Sequence, residues 1–161
     1  MESKAKLFGH PIHQMLIVFP LGLLATSLFF DVIALASGHR GLLQASWYMI
    51  AAGVISGLIA AVFGLIDFLS IPGGTRAKRV GTLHGLGNVV VVLLFSASWF
   101  LRRGTPMDPP TLAILLSAAG FLLGGITGWL GGELVGRLGV GVDDGAHLDA
   151  PSSMTHHSTR E

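Results

Sequence analysis

The chain has 161 residues, of which 51% are hydrophobic and only 12% are charged, and its formal net charge is +1 at pH 7. Soluble domains carry about a quarter charged residues, so the predicted solvent of this chain is lipid. The nearly neutral charge argues against a nucleic-acid partner, because nucleic acids are bound through clustered cations. The absence of Cys excludes disulfides, thiolate metal sites and cysteine nucleophiles.

Four apolar stretches each reach the roughly 20 residues that a helix needs to cross a bilayer. They run from Pro11 to Ala36, Ser46 to Ile71, Thr82 to Leu101, and Thr111 to Val135. The pattern predicts an all-α integral membrane four-helix bundle over residues 10–142. A polar lead, residues 1–9, precedes it, and a tail, residues 143–161, is predicted to be disordered.

The first predicted helix carries three ionisable residues. His10 takes the cap position, and His13 lies three residues later on the same side of the helix. Asp31 follows His13 by five helical turns, about 27 Å, on one face. Pro20 lies between them and predicts a kink, because proline cannot donate a helical hydrogen bond.

The other helices bring further polar residues to the end of the bundle that holds both termini. Asp67 lies near the end of the second helix, and His84 and Asn88 lie one turn apart near the start of the third. Glu133 lies near the end of the fourth. Ionisable groups in a span are costly unless they are paired or face a cavity, so each is a candidate functional residue.

Glycines at four-residue spacing predict close helix contacts. The fourth helix has Gly120, Gly124, Gly128 and Gly132, and the second has Gly53, Gly57 and Ala61. We expect packing within the chain, with a homo-oligomer through the glycine faces of the fourth helix as the alternative.

The distribution of Lys and Arg predicts the orientation. The side with both termini has Lys4, Lys6, Arg76, Lys78, Arg79, Arg137 and Arg160, and the other has Arg40, Arg102 and Arg103. This asymmetry predicts a multi-pass protein of the bacterial cytoplasmic (inner) membrane, with both termini cytoplasmic.

Two kinds of cofactor site are compatible with the polar residues. A divalent metal such as zinc or iron would be bound by His10, His13, Asp67, His84 and Glu133, for sensing, storage or transport of that ion. Alternatively, a haem b would be held axially by His13 and His84, with Asp67 and Asn88 orienting or tuning it. Arg76, Lys78 and Arg79 would be placed to meet its propionates.

Other interpretations stay open. The same side chains can be interhelical hydrogen-bonded clamps, such as His13 with Asp67, or His84 or Asn88 with a carbonyl of the second helix. Asp31 is expected to pair with Arg102 or Arg103. The chain can also be a structural subunit of a larger membrane complex or, with less support, a proton or ion conductor. No hydrolase or phosphate-loop motif is visible, so whether the protein is an enzyme is left open.

Several short motifs resemble one bacterial membrane family, the domain of unknown function 2231. They are Gly9-His10-Pro11-Ile12-His13, Val18-Phe19-Pro20-Leu21-Gly22, Asp31, Asp67, His84, Asn88, and Gly131-Gly132-Glu133-Leu134-Val135 before Gly139-Val140-Gly141-Val142. Some similar proteins carry a fused Rieske-type iron–sulfur domain. The resemblance therefore implies a redox partner and favours haem over a non-redox metal.

Overall fold

A computed structural model describes residues 1–155. Over these residues four helices are long and apolar enough to cross a membrane. The elements are β1 Lys6–Leu7, β2 His10–Pro11, α1 Ile12–Leu16, α2 Val18–Ser37, α3 Gly41–Ser70, α4 Arg76–Leu101 and α5 Thr111–Gly136. Helices α1 and α2 together form the first span, and α3, α4 and α5 are the second, third and fourth. The all-α four-helix bundle is confirmed.

The first span is interrupted at Ile17, which separates α1 from α2. Proline has no N–H, so Pro20 leaves the carbonyl of Leu16 without its helical donor. The helical pattern resumes when Leu21 donates to the carbonyl of Ile17 at 3.1 Å. The expected distortion of this helix by Pro20 is therefore present, one turn before the proline.

Two helix starts were predicted too late. The third span begins at Arg76, not Thr82, because the Thr75 hydroxyl accepts from the backbone N–H of Lys78 at 3.1 Å and caps the helix. The second span begins at Gly41, not Ser46. The helical residues that were missed, 41–45 and 76–81, include polar side chains, and a hydropathy criterion excludes such residues from a span.

The spans pack as two helical hairpins. The N-terminal hairpin pairs the first and second spans, and the C-terminal hairpin pairs the third and fourth, each along most of its length. The hairpins meet through thinner contacts of the second span with the third and of the first with the fourth. The first and third spans therefore lie across the bundle from each other and run in the same direction.

The distribution of side chains suits a lipid solvent. A small apolar core of Leu24, Ile50, Val91 and Phe95 lies between the hairpins. Many large apolar side chains face outwards, and several polar ones, including Asp31 and Arg102, are fully buried. Polar groups inside and apolar groups outside are the arrangement that a bilayer requires.

The lead forms a small structure at the terminal end of the bundle, which we define as the end with the N-terminus, residues 71–75 and the last turn of α5. Strands β1 and β2 pair antiparallel across the two-residue turn Phe8-Gly9, and both turn residues have positive φ. Such a turn matches the twist of a hairpin, and Gly9 adopts it without strain.

The described part of the tail contains turns but no helix or strand up to Thr155. It contacts the lead: the Lys6 ammonium lies 3.6 Å from a carboxylate oxygen of Asp143. The pKa of Lys6 is raised, mainly by its hydrogen bond to Glu2, and the pKa of Asp143 is lowered, mainly by the backbone N–H of Gly145. The rest of the predicted tail, including His156 and His157, lies outside the described residues.

Candidate functional site

Two imidazoles face each other between the hairpins, towards the terminal end of the bundle. His13 lies in α1 on the first span, and His84 lies in α4, the third span. Their ring centroids are 6.4 Å apart and the ring planes are nearly perpendicular, at 87°. The sequence prediction that these two histidines lie at one depth is confirmed.

Each imidazole is oriented by a backbone carbonyl of its own hairpin. Nδ1 of His13 lies 2.9 Å from the carbonyl oxygen of Ala60, and Nδ1 of His84 lies 2.8 Å from that of Thr127. A carbonyl oxygen only accepts hydrogen bonds, so both Nδ1 atoms carry the proton. In the neutral form of each ring the lone pair then lies on Nε2, as in a metal-ligating histidine with a carbonyl partner.

Glycines allow these rings to approach the neighbouring helix. A Cβ at Gly64 would lie 2.8 Å from Cε1 of His13, and one at Gly131 would lie 3.1 Å from Cε1 of His84. In both hairpins the glycine is one turn beyond the residue whose carbonyl binds the imidazole, Ala60 or Thr127. The ring positions thus depend on the absence of side chains at these two glycines.

The surroundings of the two rings differ. The amide nitrogen of Asn88 lies 3.2 Å from Nε2 of His84 and donates to the His84 carbonyl at 2.9 Å. The hydroxyl of Thr127 donates to the Asn88 amide oxygen at 3.0 Å. The network of polar contacts around His84 has no counterpart at His13, because Ile17 and Ala60 stand at the positions that correspond to Asn88 and Thr127.

The other predicted metal ligands are engaged elsewhere. Asp67 accepts from the Ser3 hydroxyl at 2.7 Å and from the Lys4 backbone N–H at 2.8 Å, so it holds the lead. Glu133 pairs with Arg76, and His10 lies 3.3 Å from the Ser153 hydroxyl. Among residues 1–155, no group of three or more His, Asp or Glu side chains is placed to hold a metal ion. The five-residue ligand set is therefore not assembled.

The predicted clamps also differ in their partners. His13 binds a carbonyl of the second span and not the Asp67 carboxylate, which the lead occupies. His84 binds a carbonyl of the fourth span, not the second. Both errors concern the tertiary partner, because the sequence shows which helix carries a histidine but not which neighbour it faces.

The two arginines proposed for haem propionates are less suitably placed than the histidines. Arg76 is committed to Glu133, although its side chain remains exposed. Arg79 is exposed and lies about 140° around the helix from His84, which is five residues further along α4. A propionate contact by either arginine stays a prediction.

A family model described as a predicted membrane protein, DUF2231, matches residues 9–144. The chain belongs to the DUF2231 family. The matched region contains both histidines and all four spans. No curated protein and no solved structure matches the chain.

A buried ion pair lies near the other end of this DUF2231 protein, which we call the far end. The Arg102 guanidinium donates to both carboxylate oxygens of Asp31, at 2.8 and 2.7 Å, and both side chains are fully buried. The expected pairing of Asp31 with an arginine is thus confirmed for Arg102. Arg103 instead lies over the ring of Trp99, at 5.7 Å.

Serine hydroxyls complete the hydrogen bonding of this ion pair. Arg102 donates to Ser98 at 3.1 Å, to Ser46 at 3.3 Å and to Ser117 at 3.2 Å. Sequence reasoning missed these partners. The available signal was the spacing of Ser98, which lies one helical turn before Arg102 and therefore on its face.

Proposed function

We propose that this membrane protein binds haem b and takes part in electron transfer, and that His13 and His84 are the two axial ligands. The observation that carries the proposal is the facing imidazole pair with both Nδ1 atoms bonded to carbonyls. Two metal–nitrogen bonds of about 2 Å, plus about 1 Å from each nitrogen to its ring centre, require about 6 Å between ring centres. The 6.4 Å separation meets this requirement.

The number of protein ligands favours haem over a zinc or non-haem iron site. A structural zinc site takes four protein ligands and a catalytic one takes three. Haem brings its own four nitrogens and needs only two axial ligands, which is what the central pair supplies. Haem held by these two imidazoles would supply reversible one-electron chemistry, which suits electron transfer.

Other residues of the chain would orient and tune the site. The carbonyls of Ala60 and Thr127 hold the imidazole tautomer that presents Nε2. The Asn88 amide would give up its contact with Nε2 and keep its bond to the His84 carbonyl. Its dipole and the Thr127 hydroxyl would then lie on one side of the cofactor only, which influences the reduction potential.

The setting that we propose is the bacterial inner membrane, with the haem site in the cytoplasmic leaflet. The excess of Lys and Arg on the terminal side supports cytoplasmic termini. Burial of Arg102 in an ion pair removes one cation from the far side and strengthens the asymmetry. A separate redox protein would be the partner, since the chain has no cysteine for a cluster of its own.

An absorption spectrum tests the proposal. The protein purified from haem-replete cells, or titrated with haemin in detergent, should show a Soret band that shifts on reduction. His13→Ala and His84→Ala should each abolish the six-coordinate spectrum, whereas His39→Ala, in a connection, should leave it unchanged. A wild-type protein that binds no haem, with or without stoichiometric metal in elemental analysis, would overturn the proposal.

A second candidate function is that of a subunit in a larger membrane assembly or homo-oligomer. A Cβ at Gly120 would contact Phe95, but one at Gly124, Gly128 or Gly132 would meet no atom within 4 Å. Part of the glycine row is therefore not used within the chain. Gly128→Leu should abolish a native crosslinked oligomer if this face is an interface, and a monomer in native membranes would exclude a homo-oligomer.

A further inference from the structure

The two hairpins carry matching sequences. In the second helix of each hairpin, Ala51-Ala52-Gly53, Gly57, Ile59 and Gly64 correspond to Ala118-Ala119-Gly120, Gly124, Ile126 and Gly131, at a constant offset of 67 residues. In the first helix of each, His13, Ser27 and Phe29 correspond to His84, Ser98 and Phe100, at an offset of 71.

Matching residues also make matching contacts. The imidazoles of His13 and His84 bind the carbonyls of Ala60 and Thr127, which correspond at the offset of 67. A Cβ at Gly53 would lie 2.6 Å from Leu24, and one at Gly120 would lie 2.8 Å from Phe95. Leu24 and Phe95 correspond at the offset of 71. The two hairpins are therefore similar in structure as well as in sequence.

Two pairs of corresponding residues meet each other between the hairpins. His13 faces His84, and Asp31 binds Arg102, which corresponds to Asp31 at the offset of 71. In a twofold interface, residues that contact their own equivalents lie at the symmetry axis. Since the first and third spans run in the same direction, this pseudo-twofold axis follows the bundle, as in membrane proteins with parallel repeats.

We infer that the inner face of each hairpin is an interaction surface for a hairpin of the same kind, and that the charges of Asp31 and Arg102 determine which hairpin it binds. Two N-terminal hairpins from different molecules would bring two buried carboxylates together at the axis. Two C-terminal hairpins would bring two guanidiniums together. Only an N-terminal hairpin paired with a C-terminal hairpin brings opposite charges together at the axis. The Asp31–Arg102 pair therefore specifies the pairing of an N-terminal with a C-terminal hairpin.

Exchange of the two charges tests this equivalence in the full chain. Asp31→Arg and Arg102→Asp alone each place like charges at the axis, and we expect both to lose the monodisperse monomer peak in detergent. The double exchange D31R/R102D should recover it, because Ser27 lies one turn before position 31 as Ser98 does before Arg102. A double exchange as aggregated as the single variants would overturn the inference.

Co-expression tests the selection of partners. The D31R chain has arginine on both hairpins and the R102D chain has aspartate on both, so each hairpin finds a complementary charge only in the other chain. The two differently tagged variants should copurify as a dimer with exchanged hairpins, joined through Pro72-Gly73-Gly74. Two wild-type chains with the same tags set the background, and copurification no higher than this background would overturn the inference.

The exposed ion pair is the matched control. Arg40 and Asp108 lie 3.6 Å apart at the far end, with side chains 66% and 76% exposed. Arg40→Asp and Asp108→Arg should leave the monomer peak unchanged, alone or combined. If these surface variants lost the monomer peak to the same extent, the net charge of the chain, and not the charge pair at the axis, would control assembly. That result would contradict the inference. None of these measurements depends on haem binding.

Discussion

At the residue scale, two pairs of side chains meet at the pseudo-twofold axis, His13 with His84 and Asp31 with Arg102, and they differ in chemistry. Asp31 and Arg102 neutralise each other, and the guanidinium also donates to serine hydroxyls, so both side chains are engaged in hydrogen bonds within the protein. The imidazoles of His13 and His84 use Nδ1 for carbonyls and keep the Nε2 lone pairs directed elsewhere. We therefore place the proposed cofactor chemistry at the histidine pair and a structural role at the ion pair.

Removal of one member of the ion pair should destabilise the fold. Arg102→Met leaves the Asp31 carboxylate buried without a partner, and we expect a loss of about 3–5 kcal/mol of unfolding free energy. The apolar double replacement D31L/R102M should recover most of that loss, because no uncompensated charge remains. Reversible unfolding in mixed detergent micelles measures both.

The exposed pair again provides the comparison. Asp108→Ala removes a solvent-exposed ion pair and should cost no more than about 1 kcal/mol. If Arg102→Met cost as little as Asp108→Ala, the buried pair would not contribute as described.

At the element scale, glycine positions determine where the imidazoles lie. The second helix of each hairpin presents a glycine to the histidine ring, at Gly64 and Gly131. The helix backbone itself forms the wall of the site, and each ring reaches a carbonyl one turn earlier. This arrangement uses the close approach that small residues give to helices in lipid.

Gly131→Ala should weaken haem binding without unfolding the bundle. The added methyl group lies 3.1 Å from Cε1 of His84 and forces the ring to shift. Overpacking of this kind costs about 1–3 kcal/mol, so we expect haem affinity to fall about 5- to 150-fold in a haemin titration.

Gly128→Ala is the control on the same helix, since its Cβ would meet no atom within 4 Å. It should bind haem as the wild type does. Equal affinities for the two alanine variants would show that His84 is not positioned by Gly131.

Hydropathy and helical spacing predicted much of the fold but less of the site. The four spans, the distortion by Pro20 and the shared depth of His13 and His84 follow from local pattern. The partners of Asp67 and Glu133 do not follow from local pattern. Each partner lies in a segment that the pattern predicts as an unstructured lead or as a loop. Asp67 binds the lead, and Glu133 binds the first residue of a helix that begins earlier than predicted.

At the scale of the whole molecule, the bundle is two similar hairpins in contact along one axis. The axis passes the Asp31–Arg102 ion pair near the far end and the facing imidazoles of His13 and His84 near the terminal end. A cofactor bound by both histidines would link the hairpins as the ion pair does. Haem binding should therefore stabilise the contact between the halves of the chain, since a ligand that binds only the folded state shifts the equilibrium towards it.

The most direct test of the proposed site is the electron paramagnetic resonance spectrum of the ferric protein loaded with haem. Axial imidazoles whose planes are 87° apart should give the highly anisotropic low-spin signal of perpendicular ligands. His13→Ala and His84→Ala should each convert it to a high-spin signal. A wild-type high-spin signal, or a low-spin signal that survives either replacement, would contradict coordination by this pair.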